Sequence, residues 1–278
     1  MITTLRLWFE SLRRTLTNLR ALGIFIALYA LLLVSFYFFI STREATVWQV
    51  LATYALMLVL PAVFFVFQAA ILEFASARKF GAKNILLSAM KIAAVTIPVL
   101  IIGALLWWLM NKLQLRYPPE PPPLVIPPAP PKAPPTHWPS LLITTLRFVL
   151  FGVALPLATI HLWIEASVCD VRASLAGGAR NVFGTIGRAL ARAFSSESVF
   201  VYGLGLILFV LGPYLVLLPR LTFTGTKTAF TLFVVQVIVA LLLMLIGWVV
   251  TLVTLARASA REASIEMNAP ATVAESTA

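Results

Sequence analysis

Charge is what this sequence lacks. Only 11% of its 278 residues are Asp, Glu, Lys or Arg, against roughly 25% in a soluble domain, so it has too little polar surface to coat itself against water. Acid is scarcer than base, ten residues to 21, and those carboxylates lie mostly at helix ends or in tails, leaving little material for general acid and base work. One cysteine, Cys169, excludes an intrachain disulfide. The two histidines, His137 and His161, are expected on different levels of the membrane, so a complete ligand set for a metal is hard to assemble. No H-E-x-x-H, G-x-S-x-G or pair of intramembrane aspartates occurs, which removes the visible chemistry of intramembrane proteases. Gly225-Thr226-Lys227-Thr228 has Thr226 before its lysine and no upstream glycine at P-loop spacing, so it is not a nucleotide site. The expectation is a protein that is not an enzyme and uses no cofactor or metal.

Apolar residues fill the space that charge leaves. They make up 61% of the chain, and mean hydropathy is +0.98. Six apolar runs, near 22–41, 47–71, 92–111, 146–168, 199–218 and 229–255, reach the ~20 residues needed to cross a ~30 Å hydrocarbon core. The fold class expected is all-α, a polytopic membrane bundle of about six helices. The last run is long for a perpendicular crossing, so tilt or projection beyond the bilayer is expected. The first run could pass for a secretory signal, but Ser41, Thr42, Arg43 and Glu44 follow it without a small-x-small cleavage site, so it reads as an uncleaved helix.

Lysines and arginines are divided unevenly between the two ends of the spans. With the amino terminus inside, fourteen lie on that side, from Arg6 through Arg78, Arg172 and Arg261, and seven on the other, from Arg43 to Lys227. The positive-inside rule then places both termini in the cytoplasm, and Tyr37, Trp48, Trp107, Trp108, Tyr117, Trp138 and Tyr214 cluster at the outer boundary as an aromatic belt. The net charge of +11 is spread over short segments beside apolar helices, so membrane topology rather than nucleic acid explains it.

Segment by segment, residues 1–21 form an amphipathic cytoplasmic helix, 22–116 carry helices one to three, 117–139 an outer loop, 140–256 helices four to six, and 257–278 a cytoplasmic tail. In the first segment Leu5, Trp8, Leu12, Leu16 and Leu19 recur at helical spacing, with Arg6, Arg13 and Arg20 elsewhere on the wheel, the pattern of a helix lying on a leaflet. Tyr117 to Pro139 holds twelve of the eighteen prolines, which forbids helix and central strand and favours polyproline II. That loop is a stiff connector or a docking segment for an extracytoplasmic partner.

Two inner segments repeat. Gly81-Ala82-Lys83-Asn84-Ile85 to Lys91 matches Gly178-Ala179-Arg180-Asn181-Val182 to Arg188, as G-A-[K/R]-N-[I/V]-x-x-[S/T]-x-x-[K/R] offset by 97 positions. At that offset Gln68 aligns with Glu165 and Glu73 with Asp170. Both copies pass from an inward helix through a cytoplasmic segment into an outward helix, so the expected repeat is parallel, pairing helices two and three with four and five. Lys83, Asn84, Lys91, Arg180, Asn181, Arg188 and Arg192 are candidate contacts for lipid phosphates or an acidic partner. Gly177, Gly178, Gly184 and Gly187 are candidates for close helix packing or a break.

Polar residues within the apolar runs offer a different role. His161, Glu165 and Cys169 share a face of helix four, and with Gln68 the first two could line a polar or proton path. The competing reading is hydrogen bonding between helices. Pro61, Pro98, Pro156 and Pro213 are expected to kink their helices.

The arrangement from helix two to helix five, with its Gly, basic residue and Asn before the next helix at Gly81 to Lys91 and Gly178 to Arg188, resembles a broad group of bacterial multi-pass membrane proteins. These include the YciC-like proteins and the membrane domain attached to some glycerophosphodiester phosphodiesterases. The resemblance implies a bacterial inner membrane location and carries over no catalytic residue. The phosphodiesterase domain is not in this chain, and the proline-rich outer loop departs from the pattern. The expected function is a non-enzymatic membrane scaffold or accessory subunit whose partners are lipids and membrane or extracytoplasmic proteins, with a permease as the alternative.

Overall fold

Apolar runs of this length can satisfy their backbone in lipid only as helix or closed barrel, and the chain chooses helix. The computed structural model describes residues 2–42, 46–76, 81–117, 138–168, 178–218 and 226–268. Among them are eight helices and no strand: α1 (Ile2–Thr17), α2 (Leu19–Ser41), α3 (Val47–Ala75), α4 (Ala82–Arg116), α5 (Trp138–Val168), α6 (Gly178–Ala193), α7 (Ser196–Leu217) and α8 (Thr226–Asn268). Six of these, α2 to α5, α7 and α8, are long and apolar enough to cross a membrane, and the protein is a multi-pass membrane bundle. The proline-rich stretch 118–137, with His137, lies outside the described residues, as do Cys169, Asp170 and the end of the tail from 269.

Helix boundaries follow local chemistry. Asn18 separates α1 from α2 by accepting from the Ala21 N–H at 3.1 Å, Thr46 caps α3 through the Gln49 N–H, and Ser195 caps α7 through the Ser198 N–H at 3.2 Å. Each fills an otherwise orphaned donor in a first turn. The helices exceed their apolar cores. α4 starts ten residues before the run at 92–111, and α8 continues to Asn268, so Gly81 to Lys91 is the opening of a membrane helix. The second Gly-Ala-basic-Asn segment opens the separate helix α6, which ends before the Ser195 cap.

Burial is concentrated at one end. On α3 the nine residues Phe67–Ala75 are all buried, and on α8 so is the run Val249–Leu255, whereas no residue from Val47 to Val66 or from Lys227 to Val239 is buried. A helix buried on every side is surrounded by others, so α3 and α8 form the centre of the bundle near α1. Phe25 of α2 meets Phe74 edge-on at 5.5 Å and Tyr29 meets Phe67 at 6.2 Å. Toward the other end the helices part, leaving Trp48 81% and Leu58 75% exposed. All seven residues of the expected aromatic belt are exposed at that end.

Prolines and glycines act selectively. Pro61 and Pro98 sit inside unbroken α-helix. Pro156 and Pro213 each follow a π-helical turn, Val149–Ala154 in α5 and Ile207–Leu211 in α7. Proline cannot donate to the carbonyl four residues back and clashes with it, and a widened turn relieves both problems. For Pro156 that carbonyl is Gly152, and the Tyr202 hydroxyl of α7 donates to it at 2.9 Å. Gly184 and Gly187 have open space around an added Cβ, so they are not close-packing sites. Gly247 is one instead: a Cβ there would lie 2.9 Å from the Phe209 backbone nitrogen. Gly205 packs as closely against Thr251, and these two contacts bring α7 and α8 together.

Candidate functional site

The packed end gathers most of the polar side chains that the apolar runs contain. Gln68 of α3 is 1% exposed and accepts from the Trp248 indole of α8 at 2.8 Å. Thr96 of α4 accepts from the Trp163 indole of α5, also at 2.8 Å, and donates to the Ile92 carbonyl at 2.7 Å. Ser88 of α4 donates to Glu73 Oε1 of α3 at 2.6 Å. All but the Thr96–Ile92 bond, which lies within α4, join two different helices across lipid-excluded space, where an unpaired polar group is costly.

A chain of charges lies alongside. Arg192, near the end of α6, reaches Glu165 of α5 at 3.6 Å and Glu262 of α8 at 3.7 Å, tying three helices through one guanidinium. Its side chain is 15% exposed, so Arg192, expected on the outward basic face, is turned inward. The reason is local: Ala189 and Ala193 are buried, and Arg192 sits beside them on the wheel. Lys83 and Arg188 are exposed, Asn84 is exposed and Lys91 half-buried. The side chains of Arg180 and Asn181, in the first turns of α6, lie outside the described residues.

Two of the three residues of the expected path are separately engaged, Gln68 with α8 and Glu165 with Arg192, whereas His161 is 4% exposed and its Nε2 has no hydrogen-bond partner among the described residues. Glu73 belongs with them, although the sequence marks it only through the repeat: it is 3% exposed, and its Oε2 has no hydrogen-bond partner among the described residues.

α1 closes this end with three distinct faces. Thr4, Ser11 and Thr15 are buried, Trp8 packs on the core, and Arg257 of α8 donates to Ser11 Oγ at 3.3 Å. Arg14 lies 5.2 Å from the Phe74 ring centre. Ile2, Leu5, Phe9 and Leu16 form an exposed apolar stripe, and Arg6, Glu10 and Arg13 a charged one, with Arg6 and Glu10 paired at 3.3 Å. Of the expected apolar face, Leu5 and Leu16 are exposed, Leu12 is half-buried, Leu19 opens α2, and Trp8 turns into the bundle. Hydroxyls tolerate that buried face because a helical Ser or Thr can donate back to its own helix: Ser11 bonds the Leu7 carbonyl at 2.8 Å and Thr15 the Ser11 carbonyl at 2.9 Å.

Among the described residues no group of three or more His, Cys, Asp or Glu is placed to hold a metal ion. Comparison with known proteins finds no family model, no curated protein and no solved structure that matches the chain.

Proposed function

We propose that this protein is a non-enzymatic membrane scaffold or accessory subunit of a bacterial inner membrane. It presents basic inner surfaces to lipids or acidic partners and holds both termini in the cytoplasm. The observation that carries the reading is how the buried polar groups are used: Gln68 with Trp248, Thr96 with Trp163, and Glu73 with Ser88 bond helix to helix. Polar groups spent on joining helices suit a rigid platform. Lys83 and Arg188 point outward, where cations attract anionic headgroups or acidic protein surface. A parallel duplication of the α3–α4 pair into α5–α7 accounts for two such elbows on one side, and the proline-rich loop gives the other side a docking segment. The resemblance to the YciC-like group agrees with this reading.

A permease is the second reading, favoured by the buried Glu73 Oε2 and His161 Nε2, which have no partner among the described residues, since buried ionisable groups in membrane helices often mark a path. Purification in mild detergent with identification of co-purifying proteins, followed by reconstitution into liposomes, separates the two. The scaffold reading expects a stoichiometric protein partner that Lys83→Glu with Arg188→Glu weakens, and no solute flux. Solute movement by the isolated protein, abolished by Glu73→Gln or His161→Ala, would replace it with the permease.

A further inference from the structure

At the end opposite α1, the helices α4 and α5 carry cations whose partners among the described residues are all uncharged. The Arg147 guanidinium carbon lies 3.7 Å from the centre of the Trp107 ring. The same group donates from its two terminal nitrogens to Gln114 Oε1 and Asn111 Oδ1, each at 3.1 Å. Lys112 rests over Trp108 at 5.8 Å, and Arg116 follows in the last turn of α4. Every partner among the described residues is a neutral amide or indole. Among the described side chains the carboxylates Glu10, Glu73, Glu165, Glu197 and Glu262 all belong to the α1 end, so no described carboxylate faces these cations.

The neutral partners aim the charge without cancelling it. Trp107, Asn111 and Gln114 share one face of α4 at helical spacing, and together they fix the plane of a guanidinium projecting from α5. Two of its nitrogens are used toward α4, which leaves further N–H donors of the fork for another acceptor. Planar forks of this kind bind phosphate through paired hydrogen bonds. The level is that of a lipid headgroup, since Trp107, Trp108, Tyr117 and Trp138 are all exposed here. Beside it, Leu105, Leu109, Leu142 and Leu146 are exposed apolar side chains on which acyl chains can lie.

We propose that Arg147, with Lys112 beside it, binds the phosphodiester of an anionic lipid in the leaflet at this end of the bundle. The site is separate from the basic elbows at the α1 end and does not depend on the scaffold reading. A lipid rather than a soluble phosphate is the occupant because the cation cluster is continuous with exposed apolar surface.

Native mass spectrometry of the full-length protein in neutral detergent, titrated with phosphatidylglycerol, phosphatidylcholine or inorganic phosphate, tests this. The wild type should retain phosphatidylglycerol over phosphatidylcholine. Arg147→Gln should weaken the affinity of one bound phosphatidylglycerol by about tenfold, the value of a charged hydrogen-bond set, and Lys112→Gln by about threefold, as an exposed cation warrants. Lys112 makes no hydrogen bond to α5, so its variant remains informative if Arg147→Gln loosens the α4–α5 contact, and the melting temperature of the lipid-free variants reports that loosening. Unchanged phosphatidylglycerol binding in both variants would overturn the site. Equal retention of phosphatidylcholine would show that headgroup charge is not read, and displacement by inorganic phosphate at matched concentration would make it a soluble-anion site; either result overturns the lipid assignment.

Discussion

Single residues at the α7 contacts carry consequences out of proportion to their size. Gly247 lies where a methyl group would meet the Phe209 backbone nitrogen at 2.9 Å, and backbone cannot rotate away as a side chain can. Gly247→Ala should therefore separate α7 from α8 and cost about 1–3 kcal/mol, the range for overpacking, seen as a lower melting temperature in detergent. The Gly152 carbonyl is left by Pro156 without its usual helical donor and is served by the Tyr202 hydroxyl. Tyr202→Phe removes that donor and should destabilise the protein by about 1 kcal/mol. Neither site was legible in the sequence. Glycine and tyrosine are common in membrane helices, and what distinguishes these two is a partner on another helix that no spacing rule identifies.

At the scale of the element, α1 and α6 show how far periodicity carries. The exposed apolar residues Leu5 and Leu16 of α1 were readable because residues three and four apart share a helical face. The buried stripe Thr4, Ser11, Thr15 was not, because hydroxyl residues look solvated until, as for Ser11 and Thr15, their own helix carbonyls are seen to accept from them. The two faces make opposite predictions. Phe9→Asp, on the exposed face, should leave stability in detergent within about 0.5 kcal/mol of wild type while weakening binding of an isolated α1 peptide to lipid vesicles. Ser11→Leu, at a position with 0% exposure, should lower the melting temperature and make α1 susceptible to protease. Arg192 misleads in the same way, since on a wheel it belongs with Arg188. Its distinguishing partners, Glu165 and Glu262, come from two other helices. Arg192→Gln should cost about 2 kcal/mol by leaving two carboxylates without their cation, and Arg188→Gln should cost less, both measured by thermal unfolding.

For the molecule as a whole, hydropathy made the six spans legible because each must supply an unbroken apolar stretch to hydrocarbon, and it matched their positions to within a few turns. It could not foresee how unevenly they pack. Phe67–Ala75 and Val47–Val66 belong to one helix, yet the first segment, which carries Gln68 and Glu73, is wholly buried and the second has no buried residue. Lipid and protein are both apolar surroundings, so composition does not tell one from the other. The polar residues do tell, after the fact: Gln68, Glu73, Ser88, Thr96 and His161 are all buried, and they mark the half where helix meets helix.

The account depends on six crossings, which put α1 and the end of α8 on one side and the α4–α5 and α7–α8 connections on the other. The most direct test is labelling of single cysteines by a membrane-impermeant maleimide, in a Cys169→Ser background expressed in a bacterial inner membrane. Cysteine replaces the exposed residues Thr3, Ala260, Tyr117 and Thr228 one at a time. The account predicts that Tyr117→Cys and Thr228→Cys react in intact cells, and that Thr3→Cys and Ala260→Cys react only after the membrane is opened. Reaction of Thr3→Cys and Ala260→Cys from opposite sides would mean an odd number of crossings and would contradict it.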